Sequence, residues 1–133
     1  MPQSAREWRW ITPELLFAIH DRQLAEHGGS EGIRDLGLIE SALARPRNLA
    51  TYGNPDAADL AAAYICSVVK NHGFVDGNKR MAWICGRVFL ADNGYRMAID
   101  PLDAVRVVMS AAAGTISERD LADWIRERLT NSE

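Results

Sequence analysis

The stretch His72-Gly73-Phe74-Val75-Asp76-Gly77-Asn78-Lys79-Arg80 carries most of the polar chemistry of this 133-residue chain. It lies between two long apolar segments that are typical of helices, so we predict a tight polar loop leading from one helix into the next. Two cations stand at the start of the second helix. Unpaired backbone N–H groups and the positive end of the helix dipole attract anions to such a position. The stretch therefore predicts a phosphate site at a helix start.

The histidine of this stretch has two interpretations. His72 follows Val68 by four residues and Val69 by three, so it projects from the apolar face in the last turn of its helix. A lone histidine at such a position is more often a structural residue than a proton acceptor. The polar residues that follow it make the role of proton acceptor worth testing.

The other residues of the stretch also allow a structural and a functional interpretation. Asp76-Gly77 is an ordinary turn, or a metal-binding carboxylate beside a nest of backbone N–H groups, and Asn78 is a cap or a phosphate ligand. Phe74 is expected to point inward and pin the loop to the core. Lys79 and Arg80 each oppose the helix dipole by roughly some tenths of a kcal/mol, which is consistent with a bound polyanion. Their joint occurrence favours the functional interpretation.

Spacing excludes two common sites. Gly73 to Lys79 reads G-x-x-x-G-N-K, which is one residue short of the Walker pattern and has no Ser or Thr after the lysine. No second histidine or cysteine stands at zinc-ligand spacing from His72.

The bulk composition predicts one globular domain over residues 1–133. Hydrophobic residues make up 47% and charged residues 25%, and the net charge of -3 disfavours a general nucleic-acid binder. The first ten residues hold no apolar segment, so no signal peptide is expected, and no apolar run is long enough to span a bilayer. We expect a cytoplasmic location. Cys66 and Cys85 are expected to be buried free thiols, with a disulfide as the alternative.

Start and stop signals predict six helices and one short extended segment. Thr12 and Pro13 begin the first helix, and Arg45-Pro46 ends the second. The predicted helices are Pro13 to about His27, Asp35 to Ala44, Asp56 to His72, Met81 to Ala91, Asp100-Pro101 to about Ala113, and one after Ser117 that carries Leu121, Trp124, Ile125 and Leu129; Tyr95 to Ile99 is the extended segment. The fold class is therefore an all-α bundle.

The apolar patterns also predict how two of these helices pack. Met81 to Ala91 is apolar nearly all round, so we expect it to be the buried central helix of the bundle. In the first helix, Leu15, Ile19 and Leu24 are expected near one face, and His20 and His27 are expected to be solvated or on the side of a helix cap.

The opening stretch resembles the signature of the Fic/Doc superfamily, H-x-F-x-[D/E]-G-N-G-R-x-x-R. Here it runs from His72 to Arg80 and then to Trp83. The Doc toxin branch carries lysine at the second glycine and lacks the final arginine, as Lys79 and Trp83 do in this chain. Residues 32–46 and the segment from Phe89 to Tyr95 are also similar to that branch. The likeness extends from about residue 11 to residue 129.

The resemblance implies an all-α Fic fold and nucleotide-dependent transfer onto a protein hydroxyl. Doc toxins are kinases that move the γ-phosphoryl group of ATP to a threonine of translation elongation factor Tu, which halts translation. A Phd-type antitoxin, whose disordered tail folds on binding, inhibits them in trans. Two alternatives stay open: AMP transfer of the Fic type, and an inactive Fic-fold binding module held by an antitoxin.

The resemblance also assigns roles to residues. His72 would be the general base and Asp76 would hold Mg²⁺. Arg80 would stabilise the transferred charge, and Gly77, Asn78 and Lys79 would bind phosphate with it. Lys79 fills space that the glycine of Fic proteins leaves open, which favours phosphoryl over AMP transfer.

Three smaller points stay open or follow from the resemblance. Residues 28–34, beginning at Gly28-Gly29-Ser30, are either a flap that holds the target or a plain loop. Arg87 either reaches the site or forms a buried ion pair. The inhibitory [S/T]-x-x-x-E-[G/N] motif of Fic proteins is missing from the sequence, so any inhibitor is expected to be a separate protein.

Overall fold

Six helices and a two-stranded sheet make up the computed structural model, which describes residues 7–29, 32–71, 73 and 77–131. The strands β1 (Tyr95–Met97) and β2 (Leu129–Asn131) pair antiparallel. The predicted all-α fold is confirmed. The helices are α1 (Pro13–His27), α2 (Leu36–Tyr52), α3 (Ala57–Asn71), α4 (Asn78–Asp92), α5 (Pro101–Ala113) and α6 (Glu118–Arg126).

Side-chain caps begin five of these six helices, as the sequence predicts. Each cap gives an acceptor to an amide N–H that has no partner within the helix, which stabilises the helix by about 1 kcal/mol. The Thr12 hydroxyl, for example, accepts from the Leu15 amide at 3.1 Å. The capping residues are Thr12, Asp35, Asp56, Asp100 and Ser117.

The central helix of the bundle is α3, not α4. Eleven of its 15 residues are buried, and it packs against α2, α4, α5 and α6. Its alanines, Ala61 to Ala63, let these neighbours approach closely. The prediction that Met81 to Ala91 forms the centre is wrong, because α4 buries one face only and leaves Arg87 exposed. Apolar content alone did not distinguish a helix buried on one side from one buried all round.

The α3–α4 contact depends on a glycine. A Cβ atom at Gly86 would lie 2.8 Å from Ile65 Cδ1, too close for any other residue without a shift. Tyr64 and Phe89 pack nearby with ring centroids 5.2 Å apart. This contact fixes α4, and with it the helix start that bears the two cations.

Helix α2 continues through Pro46 to Tyr52, so the predicted end at Arg45-Pro46 is wrong. A proline inside a helix frees the carbonyl four residues earlier, here that of Ala42. The Ser67 hydroxyl on α3 donates to this carbonyl at 2.8 Å, and Pro46 itself is buried. A tertiary hydrogen bond therefore offsets the one that proline removes.

The predicted face of α1 is correct in part. Leu16 and His20 are its buried residues, Leu15, Ile19 and Leu24 are half-buried, and Leu15 and Ile19 pack against the core. Apolar residues occur on several sides of α1, so the pattern did not select a face. His20 is only 4% exposed, which contradicts the predicted solvated position.

The last helix ends earlier than predicted. Helix α6 stops at Arg126, and Leu129 pairs with Met97 in the small sheet. The prediction that this helix carries Leu129 is therefore wrong, since β1 offers Leu129 strand partners that the sequence did not disclose.

Both cysteines are free and buried, as predicted. Burial raises the pKa of the Cys85 thiol to about 12 and also raises the pKa of Cys66. None of the helices in the described part of the chain is long and apolar enough to cross a membrane.

Candidate phosphate-binding site at the start of α4

Helix α4 begins differently from the other five described helices. Its N-cap is Gly77, which has no side chain to offer as an acceptor and adopts the left-handed region at φ 81°. The Gly77 carbonyl accepts the first helical bond, from the Met81 amide at 2.8 Å. The first turn, all of which the structure describes, has no acidic residue. Asn78 is the first helical residue, so its interpretation as the cap is wrong.

Two exposed cations extend from this first turn. Lys79 and Arg80 are both exposed and face a groove between α4 and α5, which we call the α4–α5 groove. Arg87, two turns further on, lines the same groove and is exposed, which excludes the buried ion pair. The positive end of the helix dipole and the two full charges both attract anions here. The arrangement suits a polyanion such as a nucleotide phosphate chain.

The α4–α5 groove itself is largely apolar. Its volume is about 620 Å³, and none of the described residues that line it is acidic. Trp83, which stands where Fic proteins carry their second arginine, forms part of its wall. The side chains of Val105 and Met109 on α5 also line it, although they are 59% and 53% exposed. Apolar residues exposed to this extent beside three cations are typical of a surface that binds a partner.

Gly73 binds the segment that precedes α2 by hydrogen bonds from backbone amides. Its carbonyl accepts hydrogen bonds from the amides of Arg34 at 2.8 Å and Asp35 at 3.1 Å. A Cβ atom at Gly73 would clash with Ile39 Cγ1. Residue 73 thus has to be glycine for α2 to approach this closely. The sequence analysis assigned no role to Gly73, and the signal that could have indicated one is a glycine close to the predicted end of a helix.

The segment 28–34 therefore ends beside the motif. Gly28, Gly29 and Gly32 have positive φ values, so the backbone turns sharply at these glycines. The amide of Arg34, the last residue of the segment, donates a hydrogen bond to the Gly73 carbonyl. The placement is compatible with the flap interpretation, while contact with a target protein stays a prediction. Ser30 lies outside the described residues.

Three predicted site residues lie outside the described residues as well. These are His72, Phe74 and Asp76, whose roles stay predictions. The described neighbour Asn71 donates from Nδ2 to the Leu38 carbonyl at 3.0 Å, which joins the end of α3 to α2. Within the described ranges, no group of three or more His, Cys, Asp or Glu residues is placed to hold a metal ion.

One buried residue next to the site was not among the predicted site residues. His20 of α1 lines a small cavity together with Gly77, Arg80 and Met81 of α4. Its only sequence signal is its position four residues after Leu16, which becomes informative once Leu16 is known to be buried.

Comparison with known proteins identifies the group to which this site belongs. Residues 10–90 match the model of the Fic/DOC family. The chain belongs to the Fic/Doc family. It is 32% identical over 126 residues to "Protein kinase doc" of Escherichia phage P1, an alignment that covers 94% of this chain and 99% of the relative. It is also 45% identical over 76 residues to "Toxin Doc" of Mycolicibacterium smegmatis, covering 55% of this chain and 58% of that protein.

Both relatives bear the name Doc, so the resemblance to the Doc branch is confirmed. Within the Fic/Doc family, the two departures of this chain from the Fic signature fall on one side of α4. Lys79 and Trp83 both line the α4–α5 groove. The features that distinguish the Doc branch here are thus next to each other in space.

Proposed function

We propose that this protein is a Doc-like toxin that transfers the γ-phosphoryl group of ATP to a threonine or serine hydroxyl of a protein. The observation that carries the proposal is the start of α4, where a glycine cap, a first turn without acidic residues and the exposed Lys79 and Arg80 come together. The two relatives, named as a protein kinase and as a toxin, support it.

The proposed reaction divides between the motif loop and the helix start. His72 takes the proton of the target hydroxyl, whose oxygen forms a bond to the γ-phosphorus as the bond to the β,γ-bridging oxygen breaks, and ADP leaves. Arg80, Asn78 and the N–H groups from Gly77 onward stabilise the charge on the phosphoryl oxygens. Asp76 would hold Mg²⁺, which when bound neutralises phosphate charge.

Lys79 favours phosphoryl transfer over AMP transfer. A glycine at this position would let phosphate approach the backbone, whereas the lysine side chain occupies that space and adds its own charge. Because Lys79 is exposed on the groove side of α4, its ammonium group is available to a nucleotide. Trp83 removes a further cation that AMP-transferring relatives use. The nucleotide is therefore expected to present its γ-phosphate to the hydroxyl.

A labelling experiment tests the reaction. Purified protein is incubated with translation elongation factor Tu, the proposed target, and with ATP labelled at either the α or the γ phosphate. We expect label on the target from γ-labelled ATP only, and none from a His72→Ala variant. Label from the α phosphate would instead establish AMP transfer. The inactive-module alternative would be established if no protein of a cell lysate acquired either label.

The same assay tests Lys79. Lys79→Gly is expected to lower the rate of γ-phosphoryl transfer at least tenfold. Lys79→Ala is the matched variant, because it removes the lysine side chain without the added backbone flexibility of glycine. A glycine costs about 1 kcal/mol of helix stability relative to alanine, so both variants are compared at equal folded fraction. Unchanged γ-phosphoryl transfer in both would show that Lys79 does not select the reaction.

The proposal includes an inhibitory partner in the cytoplasm. A Phd-like antitoxin would dock as an amphipathic helix in the α4–α5 groove, because the groove is apolar and the charged residues among its described lining are Lys79, Arg80 and Arg87. Carboxylates on the bound helix would pair with these cations and block the phosphate site. Antitoxin binding and ATP binding would therefore exclude each other.

Substitutions on α5 test this docking. Met109→Asp places a carboxylate in the apolar groove and should weaken binding of a Phd-like antitoxin at least tenfold, as measured by calorimetry. Leu102→Asp is the matched control, because Leu102 is 56% exposed on the same helix and does not line the groove. Equal affinities of the two variants would place the antitoxin elsewhere.

A further inference from the structure

His20 is the one polar or charged residue that is buried among the described residues. An imidazole taken out of water costs free energy unless its ring nitrogens have polar partners. No buried side-chain nitrogen or oxygen in the described part of the chain lacks a hydrogen-bond partner. The fold therefore accommodates this ring as a polar group, and a leucine would have filled the space more simply.

The position of His20 is next to the phosphate-binding turn. Together with Gln23, Leu24 and Gly28 of α1 and its C-cap, His20 encloses a cavity against α4. The cavity measures about 10 Å³, which is about the smallest space that can hold one water molecule. At this point helix α1 therefore packs almost directly against the first turn of α4.

Two of the residues that line this cavity with His20 belong to the proposed site. Gly77, Arg80 and Met81 line the same cavity. Gly77 supplies the cap and Arg80 the guanidinium, and Arg80 also lines the α4–α5 groove on its other side. His20 therefore stands behind the turn whose outer side would bind phosphate.

A comparison along α1 separates packing from polarity. Leu16, one turn earlier on the same face, is 1% exposed and does not line this cavity. It holds α1 against the core by burial alone. The polar member of the pair stands where α1 meets the helix start, and the apolar member stands away from it.

We propose that His20 is a positioning residue for phosphoryl transfer, which holds the first turn of α4 across the small cavity that it lines together with Gly77 and Arg80. This inference rests on the proposed function. An anion site stabilises a transition state only if its donors keep their directions, and a misplacement of about 1 Å can cost about 10²-fold in rate. His20 would keep the Arg80 guanidinium and the amides after Gly77 directed at the phosphates.

Four variants and two readouts test the inference. His20→Leu keeps the bulk and removes the polar atoms, His20→Gln places an amide near Nε2, and His20→Asn places one near Nδ1. Leu16→Ala loosens α1 without altering the cavity at the site. For each variant, kcat and KM are measured for γ-phosphoryl transfer, and the Kd of a non-hydrolysable ATP analogue with Mg²⁺ is measured by calorimetry on the folded protein.

We expect His20→Leu to lower kcat at least thirtyfold and to weaken nucleotide binding about tenfold, and one of the two amides to restore both to within threefold of the wild type. Leu16→Ala should leave kcat and Kd of the folded protein within threefold. A wild-type Kd and kcat in His20→Leu would overturn the inference while the proposed function stands.

Two further outcomes also decide the matter. If His20→Leu does not fold, the comparison of His20→Gln with His20→Asn tests the inference by itself. Equal kcat and Kd values in these two variants would show that no single ring nitrogen matters and would overturn the inference. A wild-type protein that neither binds the nucleotide nor transfers phosphate would overturn the proposed function, and this inference with it.

Discussion

The starts of α3 and α4 belong to adjacent helices that pack together, yet they are built in opposite ways. At the start of α3, Asp56 and Asp59 cap each other: the Asp59 amide donates to Asp56 Oδ1 at 2.9 Å, and the Asp56 amide donates to Asp59 Oδ2 at 3.0 Å. Arg126 of α6 then pairs with both carboxylates at 2.8 Å. The start of α4 has a glycine cap and two exposed cations.

The difference separates stability from function. At the start of α3, the carboxylates lie at the positive end of the helix dipole and a guanidinium neutralises them, so these charges stabilise the helix. At α4, Lys79 and Arg80 oppose the dipole, so their charges have no stabilising role in the helix. Charges that cost stability are retained where they bind something, and here that is the proposed polyanion.

The largest expected effect comes from removing charge at the α4 start. Arg80→Ala should lower kcat for γ-phosphoryl transfer by about 10²–10³-fold, as loss of one anion-hole donor does in other enzymes. Because Arg80 is exposed, the free energy of unfolding should change by less than about 0.5 kcal/mol. Stopped assays measure kcat, and denaturant unfolding measures the free energy of unfolding. Arg22→Ala, at an arginine whose side chain is 81% exposed on α1, is the control. Activity within threefold of the wild type would contradict the role of Arg80.

A smaller effect should follow from giving α4 an anionic start like that of α3. Gly77→Asp places a carboxylate where the phosphates would bind, and should weaken binding of Mg·ATP at least tenfold by repulsion. Gly77→Asn has the same shape without the charge, and both residues tolerate the left-handed conformation better than other side chains do. Calorimetry compares the two variants. If both bound nucleotide equally, the N–H groups at this helix start would not form the anion site.

The smallest effect concerns the α3 start and appears as a pH dependence. Hydrogen bonds from Arg126 hold the pKa of Asp56 at about 2, below its usual value of 3.8. A lowered carboxyl pKa adds stability above about pH 4, and this stability is lost as the pH falls from 4 to 2. Asp56 is about half exposed, so we expect about 1 kcal/mol after allowance for solvent screening.

Urea unfolding of Asp56→Asn and wild type at pH 7 and near pH 2 measures this contribution. The two proteins should differ at pH 7 and converge near pH 2, while kcat of the folded protein at neutral pH should not change. Asp103→Asn, at a carboxylate that pairs with Arg106 at 3.6 Å on the surface, is the control. A difference that persists near pH 2 would mean that ionisation of Asp56 is not its cause.

Local signals in the sequence predicted much of the fold. Helix caps work within three residues, so Thr12, Asp35, Asp56, Asp100 and Ser117 marked helix starts correctly. The glycine at 77 and the two cations after it are equally local, and they indicated an anion site because their effect is confined to one helix turn. The Fic/Doc signature supplied the reaction, which the loop residues alone did not.

Most of the predictions that failed depended on contacts between distant parts of the chain. The end of α2 was misplaced because only Ser67 of α3 makes a helix through Pro46 acceptable. The central helix was misidentified because the burial of α3 on all sides depends on which helices surround it. Strand β2 was missed because its partner β1 lies more than 30 residues earlier.

The sequence by itself determined where five of the helices start and which charges stand at the start of α4, since caps, glycines and cations act on their own neighbours. Only the tertiary structure decided what stands around that helix start. It placed the Gly73 carbonyl against the amides of Arg34 and Asp35, and the His20 ring behind Gly77 and Arg80. The periodicity of α1 and α2 could not fix these contacts, because a helix with apolar residues on several sides has no preferred face until another helix packs against it.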